Sequence, residues 1–275
     1  MICVEILSQI QTIHIGPIQL HTYGLIIGIA VITVLIPVFR SYDSKIINDK
    51  QLYLLLLTTG FAALIGGRIL YVFMHFEDFH SDLISSLYFW EGGSTIFGVI
   101  IGALAGYSLT LTILRKTSDI QINFFNLLDK IFLYFPLGQS IGRWGNYINN
   151  EIYGKPTNLP WGICIPKEKL TAPYLDYTGF HPVFFYESIL DILNFLTLYK
   201  ISKNRSEGFI TGLFLINYGI IRITMERFRI DSQPIFSILK AADIAGLLLI
   251  IAGFSLIFGN KIKKIIPNGT KKTAN

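Results

Sequence analysis

The sequence predicts an all-α membrane protein with about seven transmembrane helices and a small extracytoplasmic head inserted between spans four and five. Of the 275 residues, 52% are hydrophobic and only 15% are charged, whereas a soluble chain of this length carries far more charge. Apolar runs of about 20 residues, the length that a helix needs to cross a bilayer core, recur along the whole chain. These observations indicate a single polytopic membrane domain over residues 1–275.

Seven apolar segments form the predicted spans, and each span that runs inward ends beside basic residues. Arg40 follows the first span, Arg115 the third and Lys200 the fifth, and a basic tail over 259–275 follows the seventh. The predicted spans cover residues 18–39, 51–75, 94–114, 121–140, 183–200, 208–226 and 240–258.

Basic residues in the loops set the predicted orientation. Thirteen Lys and Arg residues fall on the side of the C-terminus and six on the opposite side, and basic loops remain cytoplasmic. The N-terminus is therefore expected outside and the C-terminal tail in the cytoplasm. The net charge of +5 comes from these loops rather than from a basic face, so a nucleic-acid partner is not expected.

The stretch 141–182 is too long and too rich in Gly, Pro, Asn and Lys to be a simple turn. It predicts the extracytoplasmic head, with TNLPWGICIP as turn or strand material and HPVFFYE beginning the fifth span. The two cysteines, Cys3 and Cys164, show no CxxC spacing and no neighbouring His or Cys, so neither a disulfide framework nor a metal site is indicated.

Ionisable residues inside spans are costly and are therefore functional candidates. Under the predicted topology, the outer-leaflet candidates are Tyr23, Arg68, Arg222 and Glu226. Arg222, Glu226 and Arg229 follow i, i+4, i+7 spacing and should share one helix face, on which Glu226 can pair with either arginine. Arg222 suits a phosphate, whereas a structural ion pair is the alternative for Glu226. Snorkelling is the alternative for Arg68, and Asp129 is expected to satisfy a buried donor rather than to do chemistry.

The stretch GRWGNYINNEIYG, residues 142–154, brings dense hydrogen-bonding capacity to the end of the fourth span. Arg143 supplies five donors, Asn146 and Asn149 each donate and accept, and Glu151 is an acceptor or a base. The glycines allow tight turns and close approach of other segments. Together with the outer-leaflet arginines, this motif predicts a phospholipid headgroup site, and a structural loop of turn-forming asparagines is the alternative.

The same stretch resembles the signature of the bacterial prolipoprotein diacylglyceryl transferases. The resemblance continues in order through LHTYGL, GGRILYV, WEGGSTIFGVIIG, HPVFFYE and GLFLINYGIIRITMERFR, and so covers most of the chain. It implies transfer of the diacylglyceryl group of phosphatidylglycerol to the lipobox cysteine thiol of a prolipoprotein. It further implies a bacterial plasma (inner) membrane location, release of glycerol phosphate and no metal or organic cofactor.

The implied chemistry gives roles to the candidate residues. Negative charge accumulates on the leaving phosphate, and fixed cations stabilise it, which suits Arg143 and Arg222. Glu151 is the third catalytic candidate. The residues expected to orient the lipid or line its pocket are Arg143, Asn146, Asn149, Glu151, Tyr23, Arg68 and Glu226.

One position departs from the family pattern. Many members carry a histidine of catalytic role in the third-span motif, where this chain has Phe97, which cannot accept a proton. A lipobox thiol has a pKa of about 8.5 and reacts as the thiolate. Glu151 and His181 are the candidate acceptors, although His181 could instead only cap the fifth span.

Three alternatives therefore stay open at the level of sequence. The arginines alone could stabilise both thiolate and leaving group, without a dedicated base. The chain could be an inactive scaffold that binds lipid and prolipoprotein. A lipid transporter is the least favoured, because charged residues gather toward one leaflet rather than at the midplane.

Overall fold

The computed structural model describes residues 11–16, 18–42, 46–80, 82–88, 93–118, 123–170, 172–230 and 240–265. These residues divide between a larger unit, drawn from residues 1–41 and 125–275, and a smaller unit, drawn from residues 42–124. Cys3 and the last ten residues of the predicted basic tail lie outside the described residues.

Seven long helices account for most of the described residues, and each covers one predicted span. In chain order the helices are α1 (Thr22–Ser41), α2 (Asp49–Met74), the short α3 (Phe76–Phe79), α4 (Ile96–Ser118), α5 (Phe124–Ile148), α6 (Val183–Ile201), α7 (Phe209–Glu226) and α8 (Ala241–Ile265). A hairpin of β1 (Thr12–Ile15) and β2 (Ile18–His21) precedes α1, and 3-10 turns cover Leu83–Leu87 and Lys167–Lys169. Within the described residues, α1, α2, α4, α7 and α8 are long and apolar enough to cross a membrane.

Three helix ends differ from the predictions. Helix α5 continues to Ile148 instead of ending near residue 140, so Arg143 and Asn146 are helical and do not belong to the head. Residues 18–21 form a strand, and the first helix begins only at Thr22. Helix α8 runs on to Ile265, into the predicted tail. Polar residues end an apolar run without ending a helix, which explains the errors in α5 and α8.

In the larger unit, α7 and α8 approach until their backbones touch. A Cβ added to Gly212 would lie 2.8 Å from the Gly253 carbonyl oxygen, and one added to Gly253 would lie 2.4 Å from that of Gly212. Small residues permit this close packing between membrane helices. On another side of α7, Ile210 and Phe214 form a buried apolar cluster with Leu198 of α6. Helix α7 is thus held by both α6 and α8.

In the smaller unit, α2 and α4 pack by the same principle. A Cβ added to Gly98 would lie 2.3 Å from the Gly66 carbonyl oxygen, and one added to Gly102 would lie 2.2 Å from that of Ala62. The i, i+4 spacing of Gly98 and Gly102 gives α4 one flat face against α2.

The stretch between α5 and α6 has a small core of its own. Phe180 is fully buried with Ile165 and Leu170, and Phe180 forms isolated antiparallel bridges with Pro156 and Ile163. The expectation of turn or strand material here is confirmed. Cys164 is disulfide-bonded, so the absence of a disulfide expected from sequence is wrong for this residue. Spacing along the chain cannot show which cysteines meet in the fold.

Asp129 of α5 satisfies buried donors, as predicted. The Gly208 N–H donates to Asp129 Oδ2 at 2.6 Å, and the Thr211 N–H and hydroxyl donate to Oδ1 at 2.8 and 2.6 Å. Gly208 is the N-cap position of α7 and has no side chain of its own to cap the helix. The carboxylate of Asp129 therefore takes the place of the missing cap and complements the positive end of the α7 dipole.

We expect Asp129→Asn to lower the stability of the protein and to have a smaller effect on its transfer activity. The amide loses the charge-assisted bonds to the start of α7, at a cost of about 1–2 kcal/mol. Thermal unfolding of the purified protein in detergent should show a lower midpoint, and the matched control Asp78→Asn, an exposed residue of α3, should not. An unchanged midpoint in Asp129→Asn would contradict the capping role.

Candidate functional site

The end of α5 carries the polar motif, and Glu151 folds back onto it. The Asn146 Nδ2 lies 3.5 Å from Glu151 Oε2, and the Asn149 Nδ2 donates to Oε1 at 3.2 Å. The Glu151 N–H also donates to the Asn146 carbonyl oxygen at 2.8 Å. The structure thus brings three of the predicted site residues together, with the two amides orienting one carboxylate.

The backbone around Glu151 is held in an unusual conformation. Asn150 has φ of 54° and Ile152 has φ of 55°, both in the left-handed region. Asparagine tolerates this region and commonly ends helices there, but a β-branched isoleucine does so at a cost of about 1–3 kcal/mol. These two residues flank Glu151, whose carboxylate bonds to Asn146 and Asn149 at the end of α5.

Arg143, in the last turns of α5, pairs with Glu187 in the first turns of α6. Arg143 Nε lies 2.7 Å from Glu187 Oε2, and the two side chains are 18% and 2% exposed. Neither Nη group of Arg143 has a hydrogen-bond partner among the described residues. The guanidinium is therefore anchored on its inner side by a buried carboxylate and keeps donors available for a ligand.

Arg222 has a similar arrangement on α7. Its Nη1 lies 2.8 Å from Glu226 Oε2, with side-chain exposures of 24% and 3%, respectively. The predicted i, i+4 pair is confirmed, but Arg229 does not share its face. Helix α7 ends at Glu226, and Arg229 instead forms an antiparallel bridge with Gly154. The chain leaves the helix at Arg227 and Phe228 to pair with the head, which a helical spacing rule cannot anticipate.

Contacts within the larger unit bring together one end of each of its five long helices. The Tyr23 ring of α1 lies against Gly145 of α5, where an added Cβ would be 2.8 Å from the ring. Beyond the end of α7, the Phe228 carbonyl oxygen accepts from the backbone N–H of Lys155, in the stretch between α5 and α6 (called the head below), at 2.7 Å. Asp243 of α8 accepts from Arg227 Nη2 at 2.6 Å. Within this unit, these contacts bring polar residues of several helices close to one another, and their location in the outer leaflet stays a prediction.

His181 lies just before α6 and contacts Tyr186. Its Nδ1 is 3.2 Å from the Tyr186 hydroxyl, which also accepts from Trp161 Nε1 at 2.9 Å. Burial lowers the pKa of His181, so the neutral imidazole dominates at physiological pH. The His181 ring also packs edge-on against Phe228. Among the described residues, the His181 side chain hydrogen-bonds the Tyr186 hydroxyl and no backbone N–H of α6, so the capping alternative is wrong and the proton-transfer role stays a prediction.

Arg68 lies in the smaller unit and is 5% exposed. Its Nε donates to the Ser86 carbonyl at 2.8 Å, Nη1 to Gly93 at 3.0 Å and Nη2 to Ser85 at 3.1 Å. Its guanidinium also lies over the rings of Tyr71 and Phe79. These bonds hold the segment between α2 and α4, which favours a structural role. The residue borders an apolar groove of about 820 Å³ in the same unit.

Similarity to known proteins identifies the family. The family profile described as prolipoprotein diacylglyceryl transferase matches residues 11–259. The chain belongs to the prolipoprotein diacylglyceryl transferase family. The phosphatidylglycerol-prolipoprotein diacylglyceryl transferase of Thermotoga maritima is 35% identical over 253 residues, which cover 91% of this chain and 84% of the relative. Proteins of the same name from Halalkalibacterium halodurans and Finegoldia magna are 32% and 34% identical, covering 91% and 93% of this chain and 86% and 96% of the relatives.

Membership of the prolipoprotein diacylglyceryl transferase family confirms the resemblance drawn from the motifs. Phe97, the departure from the family pattern, lies in the first turn of α4 in the smaller unit and is 64% exposed. Among the described residues, no group of three or more His, Cys, Asp or Glu side chains is placed to hold a metal ion.

Sequence reasoning missed two acidic residues of α6. Glu187 ends the motif HPVFFYE and Asp191 follows one helical turn later, and each is 1% exposed. Their i, i+4 spacing in an otherwise apolar helix is the signal that could have found them, because buried acids in a membrane segment are rarely retained without a role.

Proposed function

We propose that this member of the prolipoprotein diacylglyceryl transferase family transfers the diacylglyceryl group of phosphatidylglycerol to the lipobox cysteine of prolipoproteins. The cysteine sulfur forms a thioether bond to the glycerol carbon of the diacylglyceryl group, and the bond from that carbon to the phosphate oxygen breaks. Glycerol phosphate leaves, and the thiol proton passes to an acceptor. This is the first step of lipoprotein maturation.

Two arginines, each paired with a glutamate, are the main support for this proposal. Arg143 and Arg222 each rest on a buried glutamate and each retain donors that no described residue uses. Such preorganised cations suit the phosphate, whose negative charge grows as the carbon to oxygen bond breaks. A guanidinium can also bind two phosphate oxygens at once, which fixes the orientation of the lipid.

The remaining candidates support the lipid in this proposal. Glu151, oriented by Asn146 and Asn149, faces the glycerol hydroxyls. Tyr23, packed on Gly145, lines the pocket for the diacylglyceryl group. Glu226 contributes by holding Arg222. Arg68 lies in the smaller unit, and a lipid-binding role for it stays a separate prediction.

We also propose that all seven long helices span the bacterial plasma membrane, with the N-terminus outside, the residue 259–275 tail in the cytoplasm, and the stretch between α5 and α6 as the extracytoplasmic head. The excess of basic residues on the C-terminal side supports this orientation. Helices α5 and α6 are less apolar because their packed faces carry Ser140, Arg143, Glu187 and Asp191. A disulfide at Cys164 suits an oxidising extracytoplasmic compartment.

Complementation tests the proposal. A strain depleted of its own diacylglyceryl transferase should regain growth when it expresses this chain, and a reporter lipoprotein should gain the mass of a diacylglyceryl group. Stable expression without that mass increment would refute the transferase activity. The same outcome with retained binding of phosphatidylglycerol would favour an inactive lipid-binding scaffold, the alternative that Phe97 supports.

The proton acceptor can be identified from the pH dependence of its variants. If Glu151 is the base, Glu151→Gln should lose about 10²-fold or more in rate at pH 7. It should recover as the pH rises through about 8.5, where the thiol ionises unaided. His181→Gln provides the parallel test of the second candidate. A loss that is equal at pH 7 and pH 9 would assign the varied residue to structure or lipid orientation instead.

A further inference from the structure

Four buried polar side chains line α6 from its first turns inward. Glu187, Ser188, Asp191 and Asn194 are 1%, 4%, 1% and 5% exposed. Glu187 and Asp191 are one helical turn apart and share a face. Acids buried to this extent in a membrane segment are costly unless they are paired or neutral.

Three of the four side chains have clear partners. Ser188 shares a 2.8 Å hydrogen bond with Ser140 of α5, Asn194 accepts from Asn217 of α7 at 2.9 Å, and Glu187 pairs with Arg143. Asp191 differs, because neither of its carboxylate oxygens has a hydrogen-bond partner among the described residues.

Charge balance then favours one protonation state of Asp191. Asp191 lies one helical turn from Glu187, whose carboxylate is paired with Arg143. The Arg143 cation and one carboxylate already cancel, so a second buried anion would remain uncompensated. A neutral carboxylic acid leaves the cluster uncharged and carries an O–H that can donate to a neighbouring carboxylate.

We propose that Glu187 is a positioning residue that competes with the lipid phosphate for Nε of Arg143, and that Asp191 becomes the hydrogen-bond partner of Glu187 when Nε of Arg143 turns to the phosphate. This proposal rests on the proposed function and describes an exchange of partners within the same site. Competition weakens the binding of substrate and of released glycerol phosphate alike. Weaker binding of the product favours its release. An equal weakening of ground-state and transition-state binding leaves the rate of the chemical step unchanged.

Substitutions at the two acids should change lipid affinity in opposite directions. Glu187→Gln removes the competitor, so phosphatidylglycerol should bind about fivefold or more tightly, the low end of coupled binding effects. The KM of Glu187→Gln for phosphatidylglycerol should fall, and its kcat should also fall because the product leaves more slowly. Asp191→Leu removes the alternative partner of Glu187, so Arg143 is held more firmly and affinity should decrease. Asp191→Asn, which keeps a neutral donor, should restore affinity relative to Asp191→Leu.

The experiment uses the full chain in phosphatidylcholine nanodiscs containing a titrated fraction of phosphatidylglycerol. Lipid binding is measured without peptide, and KM and kcat with a lipobox peptide that carries a free thiol. Asp129→Asn is the matched control, since this buried acid caps α7, and it should alter the melting temperature while leaving KM unchanged.

The binding measurement separates this inference from the proposed function. Wild-type protein that binds phosphatidylglycerol without transfer would refute the transferase activity, while the opposite affinity changes would still support the exchange. Equal affinity in Glu187→Gln and wild type, or weaker binding in Glu187→Gln, would overturn the exchange even in an active enzyme. If Glu187→Gln does not accumulate, weaker binding in Asp191→Leu that Asp191→Asn restores supports the exchange, and unchanged binding overturns it.

Discussion

Replacement of Arg143 by alanine is expected to abolish diacylglyceryl transfer. The variant loses a preorganised cation at the phosphate, and removal of one such donor costs about 10² to 10³ in rate. Arg143→Lys keeps the charge but loses the planar fork, so it should retain only part of the activity. The measurement is the rate of diacylglyceryl transfer to a lipobox peptide, with protein amount determined in the same membranes.

Stability must be separated from chemistry in this test, because Arg143→Ala leaves Glu187 buried without its cation. Breaking a buried pair in this way costs about 3–5 kcal/mol. The double variant Arg143→Ala/Glu187→Gln removes the unpaired charge and should recover expression without activity. Arg205→Ala is the control, since Arg205 is exposed and, among the described residues, its side chain contacts only the Ile201 carbonyl and the Phe209 ring. Full activity in Arg143→Ala would exclude the phosphate role.

Substitution of Gly154 by alanine is expected to disrupt the junction between the head and the ends of α6 and α7. An added Cβ would lie 2.7 Å from His181 Cβ, 2.8 Å from Val183 Cγ2 and 2.9 Å from the Phe228 carbonyl oxygen. All three neighbours belong to rigid or backbone positions, so the bridge between Gly154 and Arg229 must open. We expect a loss of about 1–3 kcal/mol in stability and a large loss of transfer activity.

The matched control for Gly154→Ala is Gly28→Ala in α1. Apart from the adjoining backbone of α1, no atom of the described residues lies within 4 Å of a Cβ added at Gly28, and alanine is the better helix former there. Thermal unfolding and the transfer assay should therefore distinguish the two glycines. Equal midpoints and equal activities for both variants would show that the contacts at Gly154 do not constrain the site.

The parts of the candidate site that could be predicted are those that depend on residue type and on spacing within one helix. The spacing of Arg222 and Glu226 predicted a pair between them, and the cost of an ionisable residue inside a span predicted that Asp129 satisfies a buried donor. The partner of Arg143 was not predictable, because Glu187 lies on another helix and no spacing rule links them. Arg229 was misplaced because its pairing with Gly154 depends on the end of α7 and on the head together.

The sequence by itself determined that this is a membrane protein, where its long helices lie along the chain, and to which family it belongs. Hydrophobic content depends only on composition, and a spanning helix is recognised from about 20 consecutive apolar residues. A family motif is recognised from the order of its residues along the chain. Tertiary structure alone decided that α5 extends through Ile148, that Glu151 folds back onto two asparagines, and that Arg143 rests on Glu187. These features depend on contacts between segments far apart in the chain, and their energies arise only when packing brings those segments together.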